Sequence, residues 1–128
     1  MRDITQEYAC LALWGPNARK VLEKITSDEV SNAAHPYLTT KLVNINGARV
    51  YAQRVSYAGE LGWELYIPNN KANMVWDMLI ETGKDFGLEV GGYKVLDSLR
   101  LEKGIAISQL ISLRQRRLRR RAWFLCSS

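Results

Sequence analysis

Arg54–Asn69 reads RVSYAGELGWELYIPN. Val55, Trp63, Leu65 and Ile67 alternate with polar or amphipathic neighbours, which is the period of a half-buried strand. Gly59 and Gly62 bracket Glu60-Leu61, so the chain is expected to reverse there, with positive φ at the glycines. The stretch reads as strand, tight turn, strand. In the second strand Trp63, Leu65 and Ile67 share one face, and Glu64 and Tyr66 share the other. An unpaired buried carboxylate is costly. Glu64 therefore faces solvent, pairs with a cation such as Arg54, or holds a ligand. Spacing alone favours the first two. An acid beside an aromatic ring can also grip a flat ligand that carries N–H donors.

Moving toward the N-terminus, Leu38–Ile45 and Ala48–Ser56 are two strands around Asn46-Gly47. That dipeptide between alternating apolar runs predicts a type I′ hairpin. The second strand of the hairpin leads into Tyr57, which on pattern alone is an ordinary strand-end aromatic. Ser31–Pro36 is a loop, and His35 within it is expected at the surface. Tyr8–Leu13 (YACLAL) reads as a buried strand. Pro16 then suits the start of a helix, because its missing N–H costs nothing there. Ala18, Val21, Leu22 and Ile25 recur at helical spacing.

Toward the C-terminus, Asn70 is a candidate N-cap for a helix through about Lys84. Val75, Met78, Leu79 and Thr82 mark its inner stripe. Gly87 and Gly91-Gly92 punctuate a loop. Tyr93–Glu102 then reads as a helix closed by Lys103-Gly104. Asp97 and Arg100, three residues apart, can pair along it.

The 128 residues, 47% hydrophobic and 24% charged, describe one globular domain or less. No apolar run reaches membrane-spanning length, and MRDITQEY lacks a signal-peptide core. Cys10 and Cys126 lie far apart and define neither a disulfide framework nor a metal site. The formal charge of +5 is unevenly placed. Residues 1–104 carry 12 Lys and Arg against 13 Asp and Glu, whereas residues 105–128 carry six Arg and no acid. The basicity belongs to the tail, so a nucleic-acid reading of the body loses its support.

SYAGELGWELYIP closely resembles a segment of the folate-binding domain of the glycine cleavage T-protein (aminomethyltransferase) family. It is especially similar to the version fused to flavin-dependent dimethylglycine and sarcosine dehydrogenases. WGPNARKVL and DSLRLEKG resemble two further family segments, both structural. The resemblance implies that Tyr57 and Glu64 hold the pterin ring of tetrahydrofolate. Glu60 is a weaker candidate, expected as a turn residue. T-proteins often carry a folate-contacting Arg before the Asp of DSLRLE. Here that position is Leu96, which favours the flavoprotein branch.

The resemblance covers roughly residues 5–104. It implies an α+β fragment, an antiparallel sheet with helices on one face, from the middle of a one-carbon transfer module. The parent would bind tetrahydrofolate and take a one-carbon unit from a small amine-derived donor. FAD would belong to the parent only, in the bacterial cytoplasm or the mitochondrial matrix. The catalytic aspartate of relatives lies in a part absent here, so the fragment is expected to be inactive alone. A non-catalytic regulatory relative remains open as an alternative.

The resemblance stops at Gly104. Residues 105–128 read IAISQLISLRQRRLRRRAWFLCSS. They are a basic arm for nucleic acid, a disordered tail, or a non-native product of a shifted reading frame. Codons permitted for Ala106–Gln109, GCG ATT TCG CAA, yield Asp-Phe-Ala when read two nucleotides later. That frame extends to the family's expected continuation, so a lost nucleotide after Gly104 accounts for the tail. On this reading residues 105–128 are poorly packed.

Overall fold

Strand β4 (Gly62–Pro68) is the axis of the molecule, with β1 (Tyr8–Trp14) on one side and β3 (Ala48–Gln53) on the other. The computed structural model describes residues 3–92, 94–103 and 123–127. The remaining elements are α1 (Ala18–Ile25), β2 (Thr40–Ile45), α2 (Asn69–Lys84), β5 (Glu89–Gly91), α3 (Val95–Glu102) and β6 (Trp123–Ser127). The strands form one sheet in the order β2-β3-β4-β1-β6-β5. Every pairing is antiparallel except the short parallel β5–β6 pair.

The period-two pattern of β4 works as expected. Trp63, Leu65 and Ile67 are fully buried, with Leu11 and Ala52 opposite Leu65. Leu13, Val43, Ile45 and Val50 add to the same core face. Helices α1 and α2 cover it, through Ala18, Val21, Leu22 and Ile25 and through Val75 and Leu79. Burying each such large aliphatic side chain stabilises the fold by about 1.5–3 kcal/mol. In α2, Gly83 rather than Thr82 is the buried position, because the Leu88 side chain lies against it. The α+β class with an antiparallel sheet is what the structure shows. The expectation of helices on one face describes α1 and α2. Helix α3 instead packs Leu99 against Ala12, Trp14 and Ala58, on the opposite face.

Local chemistry explains the element ends. Asn46 (φ 47°) and Gly47 (φ 81°) are both left-handed, as a type I′ turn requires. The first hairpin strand begins at Thr40 rather than Leu38, since Leu38 itself sits at φ 64°. Of the two glycines flanking Glu60-Leu61, only Gly59 has positive φ, at 74°. Gly62 is needed for another reason. It already belongs to β4, and a Cβ there would collide with the Leu13 carbonyl and lie 2.7 Å from the Trp14 Cα. Helix α2 starts at Asn69 with no side-chain cap, so the Asn70 cap does not form. Asn69 instead donates from Nδ2 to the Gln6 carbonyl, 2.6 Å away.

His35 departs from expectation. It is 1% exposed, not a surface residue. Trp63 Nε1 donates to His35 Nδ1 at 3.2 Å. An indole N–H can only donate, so Nδ1 is the acceptor and Nε2 carries the proton toward the Thr39 carbonyl at 3.3 Å. Burial, then Lys41 and Arg54 nearby, push the His35 pKa below its ordinary value. The folded chain thus binds fewer protons than the unfolded chain below pH ~6.5. Stability is therefore full above that pH and falls as pH drops toward the folded pKa. A melting-temperature series from pH 8 to about 5 is expected to decline at its acid end. The decline should flatten in His35→Gln, and an equal slope in both proteins would remove His35 as its source.

Strand β6 also departs from expectation. Residues 123–127 pair with β1 from Cys10↔Ser127 to Trp14↔Trp123. That part of the 105–128 span, read as a non-native or disordered tail, is thus in the sheet. Backbone ladder groups pair with little regard to side chain, and a free β1 edge offers an unpaired row of them. The arginine-rich part of the tail, with the frame reading that concerns it, lies outside the described residues.

Candidate functional site

Glu64 pairs in register with Gln53 on β3 and Ala12 on β1. It points away from the helical core and is half-buried. Tyr66, two residues on and on the same face, donates from its hydroxyl to Glu64 Oε2 at 2.9 Å. Burial, reinforced by the Glu64 carboxylate, raises the Tyr66 pKa far above a normal phenol, so Tyr66 stays a proton donor. Among the described residues this is Glu64's only hydrogen bond. Arg54 does not pair with Glu64. It lies on the other face, donating to the His35 carbonyl at 2.6 Å and to Asn32 Oδ1 at 2.7 Å. Its guanidinium is 5.8 Å from the centre of the Trp63 ring. One step along the strand reverses the face, and this decides which residue meets Arg54.

Tyr57 lies in the β3–β4 connection, 46% exposed. This connection is tied at both ends to β1. Trp14 Nε1 donates to the Val55 carbonyl at 3.0 Å, and the Gly15 amide donates to the Leu61 carbonyl at 2.7 Å. Between them, Ala58 is buried under Leu99 of α3. Glu60 is a turn residue with a further task, since its carboxylate takes the Lys103 ammonium at 2.6 Å. Arg100 does not turn to Asp97. It donates to the Tyr57 carbonyl at 3.0 Å, and its guanidinium carbon lies 3.8 Å from the centre of the Tyr57 ring. Leu96 packs at the edge of the α3 cluster.

Tyr57 and Glu64 thus occupy the same side of the sheet, the one bearing α3. Each has its own support, and among the described residues no contact links them. A cleft of about 730 Å³ opens between Ile4, Thr5, Glu7, Tyr8, Cys10, Tyr51 and Tyr66. Ring centres of Tyr8 and Tyr51 are 6.1 Å apart at 56°. Tyr66 belongs to both places, with its ring lining the cleft and its hydroxyl on the acid. From the sequence Tyr8 and Tyr51 are not marked as site residues, and Cys10 reads as a small core residue, whereas it is half-buried and lines the cleft. Their common face follows from the registers Cys10↔Tyr66 and Tyr51↔Tyr66, which join distant segments. Among the described residues no cluster of His, Cys, Asp and Glu could hold a metal, and no helix is long and apolar enough to cross a membrane.

An acceptor carboxylate and tyrosine rings share one face of an α+β sheet. The chain belongs to the GCVT N-terminal domain family, whose model matches residues 1–110. It is 44% identical over 103 residues to an aminomethyltransferase of Halothermothrix orenii, covering 80% of this chain and 28% of that protein. It is 41% identical over 103 residues to the mitochondrial dimethylglycine dehydrogenase of Mus musculus, covering 80% and 12%. It is 37% identical over 102 residues to the mitochondrial sarcosine dehydrogenase of Homo sapiens, covering 80% and 11%. The chain therefore spans 28% or less of the length of these relatives. It is an aminomethyltransferase-like domain related to the dimethylglycine and sarcosine dehydrogenases.

Proposed function

We propose that this domain binds the pterin ring of tetrahydrofolate through Glu64 and Tyr57, as part of a protein that captures one-carbon units from an amine. The observation that carries the reading is the Glu64 carboxylate. It is half-buried on the sheet face away from the helical core and accepts at Oε2 from Tyr66, its one hydrogen bond among the described residues. A carboxylate in that state can accept two parallel N–H bonds from the amino and ring nitrogens of a pterin. Tyr57 offers a partly exposed ring for stacking.

The names of the relatives support the chemical setting. An aminomethyltransferase, a dimethylglycine dehydrogenase and a sarcosine dehydrogenase are similar to this chain. In the parent, this domain's residues orient folate beside the donor, glycine, sarcosine or dimethylglycine, and exclude water from the pterin edge. FAD, where the parent carries it, supplies amine oxidation outside this domain. The setting we infer is the bacterial cytoplasm or the mitochondrial matrix; one relative is a bacterial aminomethyltransferase and another is named as a mitochondrial dehydrogenase.

Glu64→Gln keeps the shape, replaces one acceptor oxygen with a donor and removes the charge. Hydrogen bonds to charged groups contribute about 1.5–3 kcal/mol each. Tetrahydrofolate affinity is expected to fall roughly 10- to 100-fold, read by calorimetric titration of the chain and of the complete parent. Unchanged affinity in both removes Glu64 from the site.

A further inference from the structure

We propose that Arg100 is the positioning residue for Tyr57, and that α3 is a brace that fixes the β3–β4 connection in its ligand-stacking form. The inference rests on the folate reading above and adds to it a residue outside the Tyr57–Glu64 pair. Tyr57 sits on an irregular segment and is 46% exposed. A ring so placed is free to move among rotamers unless something holds it. One guanidinium holds both its backbone and its ring, through the 3.0 Å bond to the carbonyl and the 3.8 Å approach to the ring centre.

Leu99 on α3 and Lys103 just past its end complete the brace. Leu99 packs on Ala58, and Lys103 takes the Glu60 carboxylate at 2.6 Å. Residues 99, 100 and 103 lie on one side of a helix, and they meet residues 58, 57 and 60 in turn. The Ser56 hydroxyl accepts from the Glu60 amide at 2.9 Å and closes the segment on itself.

The arrangement of Arg100 is not explained by stability alone. Among the described residues its Nε is buried with no hydrogen-bond partner, an uncommon and unfavourable state. Turning outward to Asp97 would relieve it. The stacked position instead places the guanidinium over the Tyr57 ring, which stays 46% exposed. A guanidinium is planar and delocalised, so it can lie flat on a ring while still donating sideways to a carbonyl; a lysine ammonium cannot do both.

The test is a double-mutant cycle on the full chain, with wild type, Tyr57→Leu, Arg100→Met and the double variant. Tetrahydrofolate affinity is read by calorimetry and folding by far-ultraviolet circular dichroism. Tyr57→Leu is expected to weaken binding about tenfold, as loss of one stacked ring does. Arg100→Met should weaken it several-fold, and the double variant should bind no worse than Tyr57→Leu. Arg100→Lys, which keeps the charge and loses the fork, should fall between wild type and Arg100→Met, and it replaces Arg100→Met if that variant does not fold.

A second readout needs no ligand. In the free chain, the aromatic carbon relaxation of Tyr57 should report an ordered ring in wild type and a mobile one in the Arg100 variants. Unchanged ring order, unchanged affinity in Arg100→Met, or fully multiplicative losses in the double variant each overturn the proposal. Absence of binding by wild type, or no loss in Tyr57→Leu, instead sinks the folate reading and takes the ligand half of this proposal with it. The ring measurement then still decides whether Arg100 orders Tyr57.

Discussion

Gly62→Ala is expected to destabilise the chain by roughly 3 kcal/mol or more, at the upper end of what one added methyl costs in a tight site. The added Cβ would meet the Leu13 carbonyl and the Cα of Trp14, with the Trp14 side chain beside it. The obstacle is chiefly backbone, so no rotamer change relieves it. Strands β1 and β4 must separate at their Trp14↔Gly62 end, where the ladder between them is continuous for seven residues. For a chain of this size the loss corresponds to a fall of roughly 10 °C or more in melting temperature. Glu64 lies two residues from the collision, so ligand affinity should fall with stability. Thermal melting by circular dichroism is the check, and a variant that melts within 2–3 °C of the parent chain would contradict the close approach of the strands. Gly47→Ala supplies the contrast. A Cβ there meets nothing within 4 Å, and only the φ of 81° opposes it, so the loss should be smaller, about 1 kcal/mol.

Trp63→Ala should cost about 3–5 kcal/mol, the range for removing a large aromatic from a core. Trp63 is fully buried, and the guanidinium groups of Arg19 and Arg54 lie 5.9 and 5.8 Å from its ring centre. The indole also supplies the hydrogen bond to His35 Nδ1. Its removal leaves a buried acceptor unpaired beside two cations that have lost their aromatic neighbour. Trp63→Phe separates the two effects. It keeps most of the apolar volume and removes the donor, so its cost should be smaller, about 1–3 kcal/mol for the unmet group. Because domains are stable by only about 5–15 kcal/mol, Trp63→Ala should leave a large unfolded fraction at physiological temperature. Urea titration of both variants measures the difference. Equal midpoints for Phe and Ala would show that packing of the ring contributes little.

The extent to which the sequence foretold the molecule follows interaction range. Ala18, Val21, Leu22 and Ile25 were legible as one helix face because helical period is a local property, and all four are buried. The Asn46-Gly47 turn was legible because left-handed φ at both positions restricts residue choice. The two faces of β4, with Trp63, Leu65 and Ile67 inward and Glu64 and Tyr66 outward, followed from strand geometry alone. The acid singled out from the sequence is therefore on the open face, with an aromatic hydroxyl on it.

What was not legible depended on which distant segment arrives beside a residue. His35 looked like a loop residue, and only the docking of its loop against β4 gives Trp63 an acceptor and buries the ring. Arg54 and Arg100 each had a near-sequence acid as an obvious partner. Each instead donates to a backbone carbonyl and lies near an aromatic ring, His35 and Trp63 for one, Tyr57 for the other. Flexible cations choose partners after the fold has formed, by distance in space. Gly62 was singled out for a turn conformation, yet it is required by the approach of β1, fifty residues earlier in the chain. By itself the sequence determined β1–β4 and the three helices, their inward faces and the candidate acid, because these rest on period and local backbone chemistry; β5 and β6 form only where distant segments meet. The tertiary structure alone decided the partners of the charged groups, the cleft of tyrosines and the brace on Tyr57, because each of these is a meeting of segments that no local pattern encodes.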